Sequence, residues 1–146
     1  MLLTKISIGD LNGHDISNGF LETLASLAPV DLTPEEASTI LRQRLRAGIH
    51  TFVARLGGKV VGTAALLLED KFIHGGGRVA HVEDVAVHPD FKKQGIGAAL
   101  VRHLIDRARD LGCYKVILNC HDHLIPFYEQ QGFRQYDTGM RIDLQT

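Results

Sequence analysis

The chain has 146 residues, 45% of them apolar, and 16 Lys and Arg against 17 Asp and Glu give a formal charge of −1. That balance excludes a general affinity for nucleic acid or anionic lipid, which needs a basic surplus. With no run of 18 apolar residues, and with Met1-Leu2-Leu3-Thr4-Lys5 too short for a signal peptide, the expectation is one soluble, cytoplasmic domain with enough chain for a real core.

Leu2 to Ile8 alternates apolar and polar residues and predicts an opening strand. Asp15 to Ala28 predicts a helix with Phe20, Leu21, Leu24 and Leu27 on one face. Thr33-Pro34-Glu35-Glu36 is a helix start: a capping hydroxyl, a proline in the first turn and a carboxylate three residues after the cap. Ile40, Leu41 and Leu45 are expected to face inward, and Gly48 to stop that helix. Thr51–Leu56 and Lys59–Leu68 predict two strands joined by Gly57-Gly58, a hairpin signal. Lys71–His74 is expected to extend the sheet edge, and Gly75-Gly76-Gly77 to lead flexibly into the next strand.

The stretch VEDVAVHPDFKKQGIGAAL, from Val82 to Leu100, predicts a strand, a tight loop and a helix. Val82, Val85 and Val87 break the two-residue parity of a regular strand, which predicts a bulge near Glu83–Asp84. Pro89 has no N–H and ends the pairing. The following helix carries Leu100, Val101, Leu104, Ile105 and Leu111, with Gly112 as its stop. Val116-Ile117-Leu118 predicts a short buried strand, so strand, helix and strand imply a parallel pair. His123–Gln131 predicts a short helix ended by Gly132, and Met140–Leu144 a final strand. Cys113 and Cys120 flank one extended segment of about 20 Å. That exceeds disulfide reach, so both are expected as free thiols.

Several residues could do chemistry. Gly95 and Gly97 let backbone approach a bulky group, and the unpaired N–H groups of a first helical turn suit a pyrophosphate. Lys92 and Lys93 can add charge there. His121-Asp122-His123 could converge two imidazoles, but no third ligand follows at a recognisable spacing, and no metal is expected. No histidine-paired motif supports Cys120 as a nucleophile.

Lys92-x-x-Gly95-x-Gly97 between strand and helix resembles the acetyl-CoA loop of the GNAT superfamily of N-acetyltransferases, with Lys92 in the usual Arg or Gln place. Together with Lys71-Phe72-Ile73-His74, Glu83-Asp84, Cys113-Tyr114-Lys115 and Phe127-Tyr128-x-x-x-Gly132-Phe133, the order is similar to the glucosamine-6-phosphate N-acetyltransferase branch, closely from about Lys71 to Phe133. The resemblance implies an α/β (α+β) fold whose mixed, mostly antiparallel sheet splays at a central parallel pair. It implies a pantetheine arm against Val85, Ala86 and Val87, and a pyrophosphate on the loop and helix start Lys92, Lys93, Gln94, Gly95, Ile96, Gly97 and Ala98. Tyr128 would serve the thiolate, and backbone N–H near Asp84–Val85 would serve the oxyanion. Glu83 and Asp84, facing opposite sides in a regular strand, would lie at the sugar site with Lys71, His74, Lys115 and Asn119. A homodimer paired through the C-terminal strand, no metal, and a place in UDP-N-acetylglucosamine biosynthesis are also implied.

This chain departs from the branch at four places. Ala28-Pro29 replaces a Leu-Thr step, Asn119 an acidic residue, and Leu124 an asparagine. Asp143, with Arg141 shifted, stands near a basic residue's place, where its carboxylate would repel a phosphate. Another small amine (amino sugar, polyamine, antibiotic amine or peptide) therefore stays open as acceptor, as does a non-catalytic acyl-CoA-binding module.

Overall fold

Five strands form one sheet in sequence order in the computed structural model, which describes residues 5–145. They are β1 (Ile6–Asp10), β2 (Ile49–Leu56), β3 (Lys59–Asp70), β4 (Arg78–Val87) and β5 (Cys113–Ile117). The first three junctions are antiparallel and β4–β5 is parallel, as the mixed sheet required. Gly57 and Gly58 both take positive φ (59° and 82°) in the β2–β3 hairpin, the geometry whose twist matches the strands. Among the described residues the opening strand starts at Ile6; positions 2–4 of the predicted strand lie outside them.

Alternation along the strands sends apolar side chains to two layers. On one face Ala64, Leu66, Ala80 and Val82 pack against Ile96, Leu100, Leu104 and Ala108 of helix α5 (Ile96–Asp110). On the other, Val53 and Val60 meet Leu11, Ile16, Phe20 and Ala37. Ala37 belongs to α3 (Pro34–Arg46), where Thr33 and Glu36 form the reciprocal cap expected of that start.

Four expectations need correction. The helix expected over 15–28 is broken into α1 (Gly13–Asp15) and α2 (Leu21–Leu24), joined by turns in which Asn18 and Gly19 leave helical geometry. The cause is the hairpin beneath. Asn18 Nδ2 donates to the Gly58 carbonyl at 3.0 Å, and Gly19 runs so close that a Cβ there would lie 2.4 Å from the Val60 carbonyl oxygen. Gly19→Ala meets both that contact and a φ of +103°. It is expected to remove about 3 kcal/mol of stability, read as a lower urea midpoint at unchanged slope.

On α3 only the Ala37–Leu41 stripe packs down, leaving Ile40 and Leu45 38% and 59% exposed. Lys71–His74 does not continue a strand. Lys71 N–H donates to Gly77 O at 2.8 Å, closing a loop around the turn α4 (Ile73–Gly76), and His74, Gly75 and Gly76 all take positive φ. Met140–Leu144 forms no strand within the chain; Met140, Ile142 and Leu144 project into solvent. The short helix after β5 is α6 (Ile125–Gln130), and both cysteines are free thiols.

Candidate active site

The bulge is where the valine spacing put it. Ala65 opposes Glu83 and Thr63 opposes Ala86, so Asp84 and Val85 share the space opposite Ala64 and have no cross-strand partner in the register. Asp84 takes a φ of 52° to make the extra step. Val82, Val85 and Val87 all pack on the α5 side. Glu83 and Asp84 therefore turn to the same face, not to opposite ones as a regular strand would have them. Asp84 lines a small cavity of about 100 Å³ with Leu24, Leu41, Arg44 and Ala65, the residue opposite Glu83.

The parallel pair also parts here. The β4–β5 register runs from Arg78↔Cys113 to His81↔Ile117 and stops. Beyond it no strand pairs with Val82–Val87 on that side among the described residues, and the sheet forks. At the mouth of the fork His88 N–H makes the last strand-like bond, to Val61 O at 2.8 Å, before the turn at Pro89–Phe91. Lys93 and Gly95 then take positive φ (64° and 81°). Left-handed residues two apart turn successive N–H groups to one side, a shape that holds anions. Helix α5 opens with no side-chain cap and no acidic residue in its first turn, so the N–H groups of Ile96, Gly97 and Ala98 keep their partial positive charge. Lys92, Lys93 and Gln94 are exposed and Ile96 is buried as the anchor. The Phe127 ring of α6 stands against Gly97, 3.5 Å from where a Cβ would lie. The α5 start and α6 thus flank the opening.

Tyr128 is buried on α6 and held edge-on by Phe127 and Phe133, with centroids 4.9 Å and 5.8 Å away. Burial first, and then the Cys120 thiol, push its phenol above the usual tyrosine range, so it keeps its proton. It lines a cleft of about 830 Å³ with Lys115, Leu118, Asn119, Cys120 and Tyr136. Lys115 Nζ lies over the Tyr114 and Tyr136 rings at 5.7 Å and 5.4 Å, and the His74 ring lies against Tyr114, tilted by 31° with centroids 4.2 Å apart. Lys71 Nζ is paired with Glu69 at 3.0 Å. So Tyr128, Asn119 and Lys115 share one cleft and His74 joins Lys115 around Tyr114, while Glu83 and Asp84 line the other face. The structure does not gather all the expected residues into one pocket.

Among the departing positions, Ala28 is exposed. Asp143 accepts a hydrogen bond from Arg141 Nε at 2.8 Å, so the carboxylate expected to repel a phosphate carries its own counter-ion. His121 and His123 stack at 5.9 Å, and no group of three or more potential metal ligands gathers among the described residues. Glu69 and His81 were not anticipated: His81 Nε2 and Glu69 Oε1 lie 2.9 Å apart on the Glu83 face. The available signal was the two-residue step from His81 to Glu83.

Residues 18–133 match the acetyltransferase (GNAT) family. The chain belongs to that family. Family members use acetyl-CoA. Among relatives, the chain is 41% identical to a glucosamine 6-phosphate N-acetyltransferase of Trypanosoma brucei brucei, over 97% of this chain and 95% of that protein. It is 40% identical to glucosamine 6-phosphate N-acetyltransferase 1 of Oryza sativa subsp. japonica, over 88% and 81%. The crystal structure of glucosamine-6-phosphate N-acetyltransferase from Arabidopsis thaliana superposes with a TM-score of 0.91 at 29% identity, covering 97% of this acetyltransferase and 99% of that chain.

Proposed function

We propose that the chain transfers the acetyl group of acetyl-CoA to the amine of glucosamine 6-phosphate by direct attack, without an acyl-enzyme. The observation that carries this reading is the bulge at the fork, which leaves backbone donors without strand partners beside two carboxylates. The pantetheine amides would take the place of a strand along Val85, Ala86 and Val87. The N–H groups from Lys93 to Ala98 would hold the pyrophosphate. Unpartnered N–H near Asp84 and Val85 would stabilise the oxyanion as the amine attacks. Tyr128, protonated and buried, would give its proton to the departing sulfur. Glu83 and Asp84 would orient the acceptor amine, and Lys71, His74, Lys115 and Asn119 its hydroxyls and phosphate.

The two named relatives carry the acceptor's identity. A different small amine is the second reading, favoured by the uncharged Asn119 in the Tyr128 cleft. Free thiol released from acetyl-CoA, followed across a panel of amines, decides between them. Glucosamine 6-phosphate is expected to saturate at the lowest concentration, and saturation by another amine alone would replace it.

A homodimer completes this reading. Met140, Ile142 and Leu144 alternate and are exposed, and the outer edge of β5 carries no strand among the described residues, so a second copy's tail would cover both. Coenzyme A esters and sugar phosphates are charged metabolites, and the compartment implied is the cytoplasm.

A further inference from the structure

We propose that His81, oriented by Glu69, is the base that takes the proton from the acceptor's ammonium group. The inference rests on the acetyltransferase reading above and adds a residue to it.

Geometry assigns the tautomer. Glu69 accepts at both oxygens, with Oε1 2.9 Å from His81 Nε2 and Oε2 3.0 Å from Lys71 Nζ. Those bonds, from His81 first, hold the Glu69 carboxyl below the usual range, so it is ionised and has no proton to donate. The hydrogen between Glu69 and His81 therefore sits on Nε2, and Nδ1 carries a free lone pair. A base held by a carboxylate on its far nitrogen is a recurring arrangement for proton abstraction.

Position assigns the task. His81 is the last residue of β4 paired with β5, at the root of the fork. Ala80 and Val82 face α5, so His81 and Glu83 share the opposite face, about 7 Å apart along the strand. An amine held by Glu83 lies between them, within reach of Nδ1 directly or through one water. Leu67 is the partner on β3 and Ile117 the partner on β5, and the charged groups on that face are Glu69 with Lys71 behind it, Glu83 and Asp84 along β4, and Lys115 two residues before Ile117 on β5. The imidazole is a quarter exposed, enough to return its proton to solvent.

The protons balance. The ammonium gives one proton to Nδ1, and the freed lone pair forms the C–N bond as the C–S bond breaks. Tyr128 protonates the sulfur and regains a proton as the new nitrogen becomes an amide. His81 then releases its own, for a net loss of one proton to water.

The test is thiol release from acetyl-CoA by wild type, His81→Gln and Glu69→Gln, with glucosamine 6-phosphate and the amine panel, from about pH 5.5 to 9. The wild-type kcat/KM is expected to fall on the acid side, where the base and the acceptor amine are both protonated. His81→Gln is expected to lose about 100-fold in kcat/KM at neutral pH and to lack that limb. Its deficit should shrink at high pH, where the acceptor is neutral unaided. Glu69→Gln should displace the limb, because the charged group that orients the imidazole is gone. Wild-type turnover with both variants keeping its rate and acid limb would overturn the role of His81 alone. No release by wild type with any amine would remove the acetyltransferase reading and this proposal with it. Should His81→Gln fail to fold, an unmoved limb in Glu69→Gln overturns the proposal.

Discussion

Tyr128→Phe is expected to lower kcat about 100-fold while leaving the KM for acetyl-CoA near its wild-type value. The ring is fixed by edge-on contacts to Phe127 and Phe133, which phenylalanine keeps. Only the hydroxyl is lost, and with it the proton for the leaving sulfur. Single-turnover kinetics with saturating acceptor separate this from a binding defect. An unchanged single-turnover rate would remove Tyr128 from the chemistry. Burial, and secondarily Cys120, raise the phenol's pKa above the ordinary ~10. The acid form is thus complete at neutral pH, and its contribution to stability is present below about pH 10 and is lost as pH rises through the raised folded value.

A large loss of stability is expected at Asp15. Its carboxylate accepts from Arg55 Nε at 2.9 Å and from Arg55 Nη2 at 2.6 Å, and from the Asn12 backbone N–H at 2.9 Å. The Asp15 side chain is only 2% exposed. Burial alone would raise its pKa, but the Arg55 and Asn12 bonds outweigh it and hold the carboxyl below the usual range. Asp15→Ala leaves the guanidinium of Arg55 without its counter-ion at a largely covered site, and is expected to cost about 3 kcal/mol. For a chain of this length that is a fall in Tm of about 6–12 °C, measurable by calorimetry. The sign with pH follows from the lowered value. The pair's contribution is full above about pH 4 and disappears as pH falls through the folded pKa, so the gap between wild type and variant should close in acid. A gap constant down to pH 2 (about two units below the ordinary aspartate value) would show that the ion pair is not its source.

Local rules made much of this fold legible. Thr33 through Glu36 wrote their own cap, Gly57-Gly58 their own turn, and the offset of Val82 from Val85 and Val87 located the bulge before any partner strand was known. What failed depended on distant residues. Nothing near Gly19 announces the Val60 carbonyl that breaks its helix, because the two meet only once the hairpin folds beneath. Apolar spacing over Met140–Leu144 promised a strand, yet spacing cannot supply the neighbour a strand needs. In the candidate site, motif residues on one continuous stretch were placed well. The Glu69–His81 pair was not, because it joins two strands whose register is set by the whole sheet.

The fork has a consequence for how the protein works in time. Its two arms are held apart by well-packed layers at the closed end, where Ala80 and Leu104 are fully buried, and the gap is a standing feature of the resting molecule. On the proposed function, a thioester would enter a slot that already exists. The pace of turnover would then follow chemistry and product departure, with no opening of the fork itself required beforehand.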